Sequence, residues 1–159
     1  MCAALRLIVC AALLSGPPAA AGTLEHGAKD FPAVSIGYFD VNQKDHEAAA
    51  LILEYRWGRG FWLFKPFAGA MATSDAGLYG FAGLRLDLPL GERIVLTPSI
   101  ATGLYARGDG KDLGHPVEFR SRIELSYALA KATRLAVSFS HLSNAGLGDD
   151  NPGAETVAV

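Results

Sequence analysis

Hydrophobic and polar residues alternate along much of this chain with a period of two. From Val117 to Leu129 one face reads Val117, Phe119, Ser121, Ile123, Leu125, Tyr127 and Leu129, and the other reads Glu118, Arg120, Arg122, Glu124, Ser126 and Ala128. A β-strand sends successive side chains to opposite faces, so this stretch predicts a strand with one aliphatic and one charged side. The alternation recurs in Ala49, Leu51, Leu53, Tyr55 and Trp57 against Ala50, Ile52, Glu54 and Arg56, and in Leu84, Leu86 and Leu88 against Arg85 and Asp87. Eight strands are expected, near Ala33–Asp40, Glu47–Trp57, Phe61–Ala72, Leu78–Leu90, Arg93–Ala106, Pro116–Ala130, Thr133–Ala145 and Ala154–Val159. The connections Gly58-Arg59-Gly60, Gly91-Glu92 and Lys131-Ala132 are short. Those over Val41–His46, Thr73–Gly77, Arg107–His115 and Gly146–Gly153 are longer and polar.

Short turns at one end, long loops at the other and an even strand number form the pattern of a bacterial outer-membrane barrel. The predicted fold is therefore all-β, an eight-stranded antiparallel transmembrane β-barrel. Its last strand is short, about six residues against the usual 9–11. If that is the natural end, closure against the first strand is expected to be incomplete, leaving backbone groups unpaired in lipid. Eight strands enclose a space just wide enough for side chains to fill, so Glu54, Arg56, Arg85, Asp87, Glu118, Arg120, Arg122 and Glu124 are expected to pair inside as a plug. Tyr38, Tyr55, Trp57, Phe61, Trp62, Tyr79, Tyr105 and Tyr127 fall near strand ends, where aromatic girdles sit.

Composition sharpens this picture at the amino terminus. Arg6, the apolar run Leu7–Leu14 and the small residues Ala19-Ala20-Ala21-Gly22 have the layout of a secretory signal peptide over residues 1–22, leaving a barrel domain over 23–159. Cys2 and Cys10 both lie in the leader, so the exported part has no disulfide, thiol nucleophile or Cys metal site. Arg6 is the leader's only charge, which leaves 13 Lys+Arg against 16 Asp+Glu and no basic surplus to suggest nucleic acid. A mean hydropathy of +0.23 is high for an exported soluble domain. Charges nevertheless interrupt the chain too often for a membrane helix of about 18 apolar residues.

The seventh strand departs from the pattern. Its outward series Leu135, Val137, Phe139 continues in phase with His141 and Ser143, two polar residues where lipid is expected. Such groups either sit at headgroup level or serve chemistry. Residues i and i+2 share a face, which puts the imidazole beside the hydroxyl it could activate. Glu155, second in the last strand after the turn Asn151-Pro152-Gly153, stands across the hairpin and could orient the imidazole as the acid of a Ser-His-acid triad. No Gly-x-Ser-x-Gly elbow is present.

His141-Leu142-Ser143-Asn144-Ala145-Gly146 followed by Asn151-Pro152-Gly153-Ala154-Glu155 closely resembles the signature of the outer-membrane lipid A 3-O-deacylase (PagL) family. The resemblance implies an eight-stranded barrel with a Ser-His-Glu triad on its lipid-facing outside: Ser143 as nucleophile, His141 as general base and Glu155 as the orienting acid. It also implies oxyanion donors at the Asn151 side chain and the Gly146 N–H, with Asn144 a neighbouring candidate, and an acyl groove lined by Phe119 on the sixth strand. The motif spans Ser140 to Glu155, while the barrel pattern covers the whole chain after the leader.

With a periplasmic amino terminus, odd strands run outward and His141 and Ser143 lie at the outer leaflet of the outer membrane. The implied substrate is lipopolysaccharide, cleaved at the 3-linked ester of lipid A to release a fatty acid, typically 3-hydroxylated. No metal or organic cofactor is expected. His26, His46 and His115 show no ligand spacing and read as solvated. Homodimer formation is left open. Two other functions stay in view: a non-catalytic small barrel with a structural or adhesive role, and a soluble lipocalin-like binder. The binder needs its apolar face turned inward.

Overall fold

In the computed structural model, which describes residues 29–43, 46–131 and 133–159, the chain folds as an antiparallel sheet that closes on itself. The strands are β1 (Phe31–Phe39), β2 (Ala48–Arg56), β3 (Phe64–Thr73), β4 (Leu78–Leu86), β5 (Leu88–Pro89), β6 (Ile94–Ala106), β7 (Val117–Ala130), β8 (Thr133–Ser143) and β9 (Ala154–Ala158). Sequential neighbours pair except β4 and β5, which both pair with β6 so that β5 extends β4 along it, and β9 pairs with β1, giving an eight-stranded barrel with one extra short strand. The expected leader, with Cys2, Cys10 and His26, lies outside the described residues.

The alternation read from sequence is the wall of this barrel. On β2 and β7 the charged series is buried and the aliphatic series exposed. That profile excludes the lipocalin-like reading, since Leu51, Leu53, Ile100, Ile123, Leu125, Leu135 and Val137 all point out. Inside, Arg56 grips Glu124 through two parallel hydrogen bonds of 2.7 and 2.6 Å and donates from Nε to Glu54 at 2.9 Å. Arg120 and Arg122 each donate to Glu54 Oε1 at 2.7 Å. Arg120 also lies over the Phe81 ring, 3.9 Å from its centroid. Toward the short-turn end Asp87 accepts from Arg85, from Lys65 at 3.1 Å and from Thr97 at 3.2 Å. These carboxylates and guanidiniums offset one another's desolvation, which lone buried charges could not do.

Several expectations need correction. Glu118 is fully buried, but neither of its carboxylate oxygens has a partner among the described residues, because Arg120 and Arg122 reach for Glu54 instead. Tyr79 and Tyr105 are not girdle residues. Both point inward, where their hydroxyls donate to the carbonyls of Glu118 (3.1 Å) and Lys111 (2.9 Å). The remaining six aromatics of that group are exposed, as a girdle requires. The third strand starts at Phe64 and not Phe61, since Phe61 folds back on Phe64 in a tight turn with Trp62 at φ 56°. The predicted strand Leu78–Leu90 divides at Asp87. Its break is bracketed by the pairs Arg85↔Ser99 and Leu88↔Leu96, a stretch containing Pro98, which has no N–H to give.

The last strand is indeed short, and it closes only part of the wall. β9 pairs with Ser138–Leu142 of β8 and Gly37–Phe39 of β1, with two further bonds between Ile36 and Val159. Below it, Phe31–Ser35 and Thr133–Val137 have no strand partner on their facing edges among the described residues. Side chains bridge that seam, with the Arg134 guanidinium 5.6 Å from the Phe31 ring centroid.

The interior cluster carries a direct prediction. Glu54→Ala leaves three guanidiniums facing one remaining carboxylate, so unfolding of the refolded barrel in lipid vesicles by urea should show a loss of about 3–5 kcal/mol. A loss under about 1 kcal/mol would mean that the cluster is hydrated and contributes little.

Candidate active site

His141 stands on the outward face of β8, two residues before the strand ends at Ser143. In the β8–β9 ladder it lies directly opposite Glu155. The imidazole Nδ1 is 2.9 Å from Glu155 Oε1, which matches a ring that donates its Nδ1 proton to the carboxylate and leaves Nε2 as the basic nitrogen. The His141 side chain is 44% exposed whereas that of Glu155 is only 13% exposed, so the carboxylate is sheltered behind the ring it orients. Glu155 Oε2 is buried without a partner among the described residues, so this carboxylate's one hydrogen bond there is to the histidine.

Gly153 makes this approach fit. It is buried with φ 63°, and a Cβ there would fall 2.9 Å from His141 Cε1. The Asn-Pro-Gly turn is legible as a turn from sequence. Its close contact with the ring is not, and this residue was missed.

Ser143 is half-buried on the same face as His141, as the i, i+2 spacing requires. Across the β7–β8 ladder Ser143 faces Phe119 and His141 faces Ser121. Directly opposed Cβ atoms lie about 4.5–5.5 Å apart, so the exposed Phe119 ring borders the hydroxyl. Ser121 is a second site neighbour that sequence reasoning did not single out. From His141 an apolar cleft of about 540 Å³ runs over the outer wall past Ser121, Phe139, Ile123, Ile100 and Leu84 to Phe64.

The loop after Ser143 has a defined geometry. Ala145 and Gly146 are both left-handed, with φ 55° and 81°, and Leu147 N–H donates to the Asn144 carbonyl at 3.1 Å to close the turn. Asn144 is fully buried. Its amide Nδ2 donates to the carbonyls of Leu113 (2.8 Å) and Asp150 (2.7 Å), its Oδ1 accepts from Gly146 N–H (2.8 Å), and its own N–H donates to Asn151 Oδ1 (3.1 Å). Asn151 is exposed and lines a polar hollow with Asp112, Gly114, Asp150 and Pro152. Its Oδ1 is engaged, and no bond occupies its Nδ2 among the described residues.

No group of three or more His, Cys, Asp or Glu able to hold a metal occurs among the described residues. Of the other histidines, His46 is exposed. His115 is not simply solvated, because its Nδ1 accepts from Val117 N–H at 3.0 Å at the start of β7.

The arrangement predicts a hydrogen-bonded His141 Nδ1 proton that exchanges slowly with water and resonates far downfield in the proton NMR spectrum of the micelle-bound protein. Glu155→Gln and Gly153→Ala should each abolish that signal, the first by replacing the carboxylate and the second by displacing the ring. Its persistence in Glu155→Gln would mean that the proton is held elsewhere.

Comparison with known proteins points in one direction. A family model, lipid A 3-O-deacylase (PagL), matches residues 50–159. The lipid A deacylase PagL of Bordetella bronchiseptica (strain ATCC BAA-588 / NCTC 13252 / RB50) is 30% identical over 71 residues, covering 43% of this chain and 40% of the relative. The match thus spans about two fifths of that relative's length. The crystal structure of the outer membrane enzyme PagL superposes with a TM-score of 0.59 at 20% identity, covering 81% of this chain and 94% of the other. At that identity the likeness is one of fold.

Proposed function

The chain belongs to the lipid A 3-O-deacylase (PagL) family, and on that premise we propose that it hydrolyses the 3-linked acyl ester of lipid A from the lipid-facing outside of its barrel. The observation that carries the reading is the outward His141, two residues from Ser143 on the same face, bonded at 2.9 Å to a sheltered Glu155. A purely structural or adhesive barrel gives no reason to place a carboxylate against lipid.

In this reading residues 1–22 are the export leader, and the barrel stands in the bacterial outer membrane with its long loops outward. The site then lies at the leaflet that holds lipopolysaccharide. An acyl chain reaches it sideways, through lipid, along the apolar cleft that starts at His141. Phe119, opposite Ser143 in register, forms one wall beside the ester.

His141 Nε2 takes the proton from Ser143 Oγ as the oxygen bonds to the acyl carbonyl carbon. Glu155 holds the Nδ1 proton and stabilises the imidazolium without itself becoming protonated. The tetrahedral intermediate collapses as the imidazolium returns its proton to the sugar oxygen that leaves. Water, deprotonated by His141, then attacks the acyl carbonyl carbon, and the imidazolium returns that proton to Ser143 Oγ as the ester bond to the serine breaks and the fatty acid, typically 3-hydroxylated, is released. The Asn151 amide Nδ2 is free to donate to the oxyanion. Gly146 N–H already donates to Asn144 Oδ1, so it serves the oxyanion by sharing that proton or by turning toward it.

The direct test is mass spectrometry of lipid A after incubation of lipopolysaccharide with the refolded protein in detergent. One 3-linked acyl chain should be lost, and intact lipid A from a folded barrel would overturn the proposal. Glu155→Gln, which offers the imidazole no anion, should slow turnover by about 10²–10⁴-fold with little change in folding. A rate equal to wild type would remove Glu155 from the mechanism.

A further inference from the structure

The long loop between β6 and β7 does not lie open over the barrel end. Lys111 and Leu113 are both buried in the mouth, while their neighbour Asp112 is exposed. The Lys111 ammonium donates to Asp40 Oδ1 at 2.6 Å and to Gln43 Oε1 at 2.7 Å. Asp40 is itself fully buried, and Tyr105 from inside the barrel donates to the Lys111 carbonyl. Two residues on, the Leu113 carbonyl accepts from Asn144 Nδ2. The two loops also touch through backbone, since a Cβ on Gly114 would collide with the Asp150 carbonyl. Asn144 is thus tied on one side to the Lys111 loop and on the other to Gly146, Asp150 and Asn151, directly after Ser143.

We propose that Lys111 is a positioning residue for the reaction: its buried pair with Asp40 locks the β6–β7 loop in the mouth, and through the Leu113 carbonyl and Asn144 that loop sets the aim of Ser143 and of the donors at Gly146 and Asn151. The inference rests on the deacylase reading and adds to it a residue that touches neither substrate nor triad. Asn144 accordingly serves as the hub of the turn, because both protons of its amide are spent on carbonyls. Ala145, held in a left-handed conformation that a non-glycine residue rarely adopts, would relax once that hub is freed.

The test measures kcat and KM on detergent-solubilised lipopolysaccharide for wild type, Lys111→Met, Lys111→Arg and the double variant Asp40→Asn/Lys111→Met, each normalised to its folded fraction by heat-modifiable gel mobility. The double variant leaves no lone charge buried and keeps the test open should Lys111→Met fold poorly. Loss of the clamp is expected to lower kcat about 10- to 100-fold, as small misplacements of reacting groups do, with KM within about twofold. Lys111→Arg should recover much of the rate. Arg107→Met, which removes only the exposed pair with Asp112 in the same loop, should stay within about twofold of wild type. Unchanged kcat per folded molecule in both clamp variants, a change confined to KM, or an equal fall in Arg107→Met would overturn the positioning role while leaving the deacylase reading intact. A folded wild-type barrel that cleaves no lipid A would overturn both.

Discussion

The pairing of His141 with Glu155 exists in only one register of β8 against β9. Strand side chains alternate with a period of two, so a slip of one residue would turn Glu155 into the lumen and bring Ala154 or Thr156 opposite the imidazole. What fixes the register is the lipid. Leu135, Val137 and Phe139 must face outward and Ser138, Ser140 and Leu142 inward, and Val157 must share the outer face with Glu155. The same rule that makes a polar group on this face expensive thereby makes its position certain, and the expense is met by pairing the two polar groups with each other.

The interior obeys the complementary rule. Because hydrocarbon surrounds the wall, charge collects inside, and Glu54 with Arg56, Arg120, Arg122 and Glu124 welds β2 to β7 across the lumen. The barrel is consequently a filled rod whose apolar side chains line its outer surface. At the long-loop end the filling passes into Tyr79, Tyr105, Lys111 and Leu113, which carry the rigidity of the core to the turn behind Ser143. Site and plug meet at Asn144.

Much of this was legible in the residues. The phase of Val117–Leu129 gave the inner and outer faces of β7 residue for residue, and the continuation of Leu135, Val137, Phe139 put His141 and Ser143 on the outer wall, where the structure has them. Glu155 could be placed because hairpin register follows from strand phase. What escaped involves side chains that cross between elements. Arg120 chose Glu54 over the neighbouring Glu118, a choice that depends on barrel diameter and not on spacing. Tyr79 shares the phase of Arg85, yet its place near a strand end suggested a girdle; phase was the better guide. Lys111 falls in a predicted loop and Asp40 at the end of the first predicted strand, and only the inward fold of the β6–β7 loop makes them a buried pair. The contact of Gly153 with the imidazole is likewise tertiary.

The account stands on a serine activated in a lipid-facing wall, and covalent labelling reads this most directly. The folded protein in detergent is treated with a fluorophosphonate, and the adduct is counted by intact mass and located by peptide mass spectrometry. One adduct on Ser143, formed in wild type and lost in His141→Ala, is the predicted result. A folded barrel that takes no label, or takes it on a residue other than Ser143, would contradict the account.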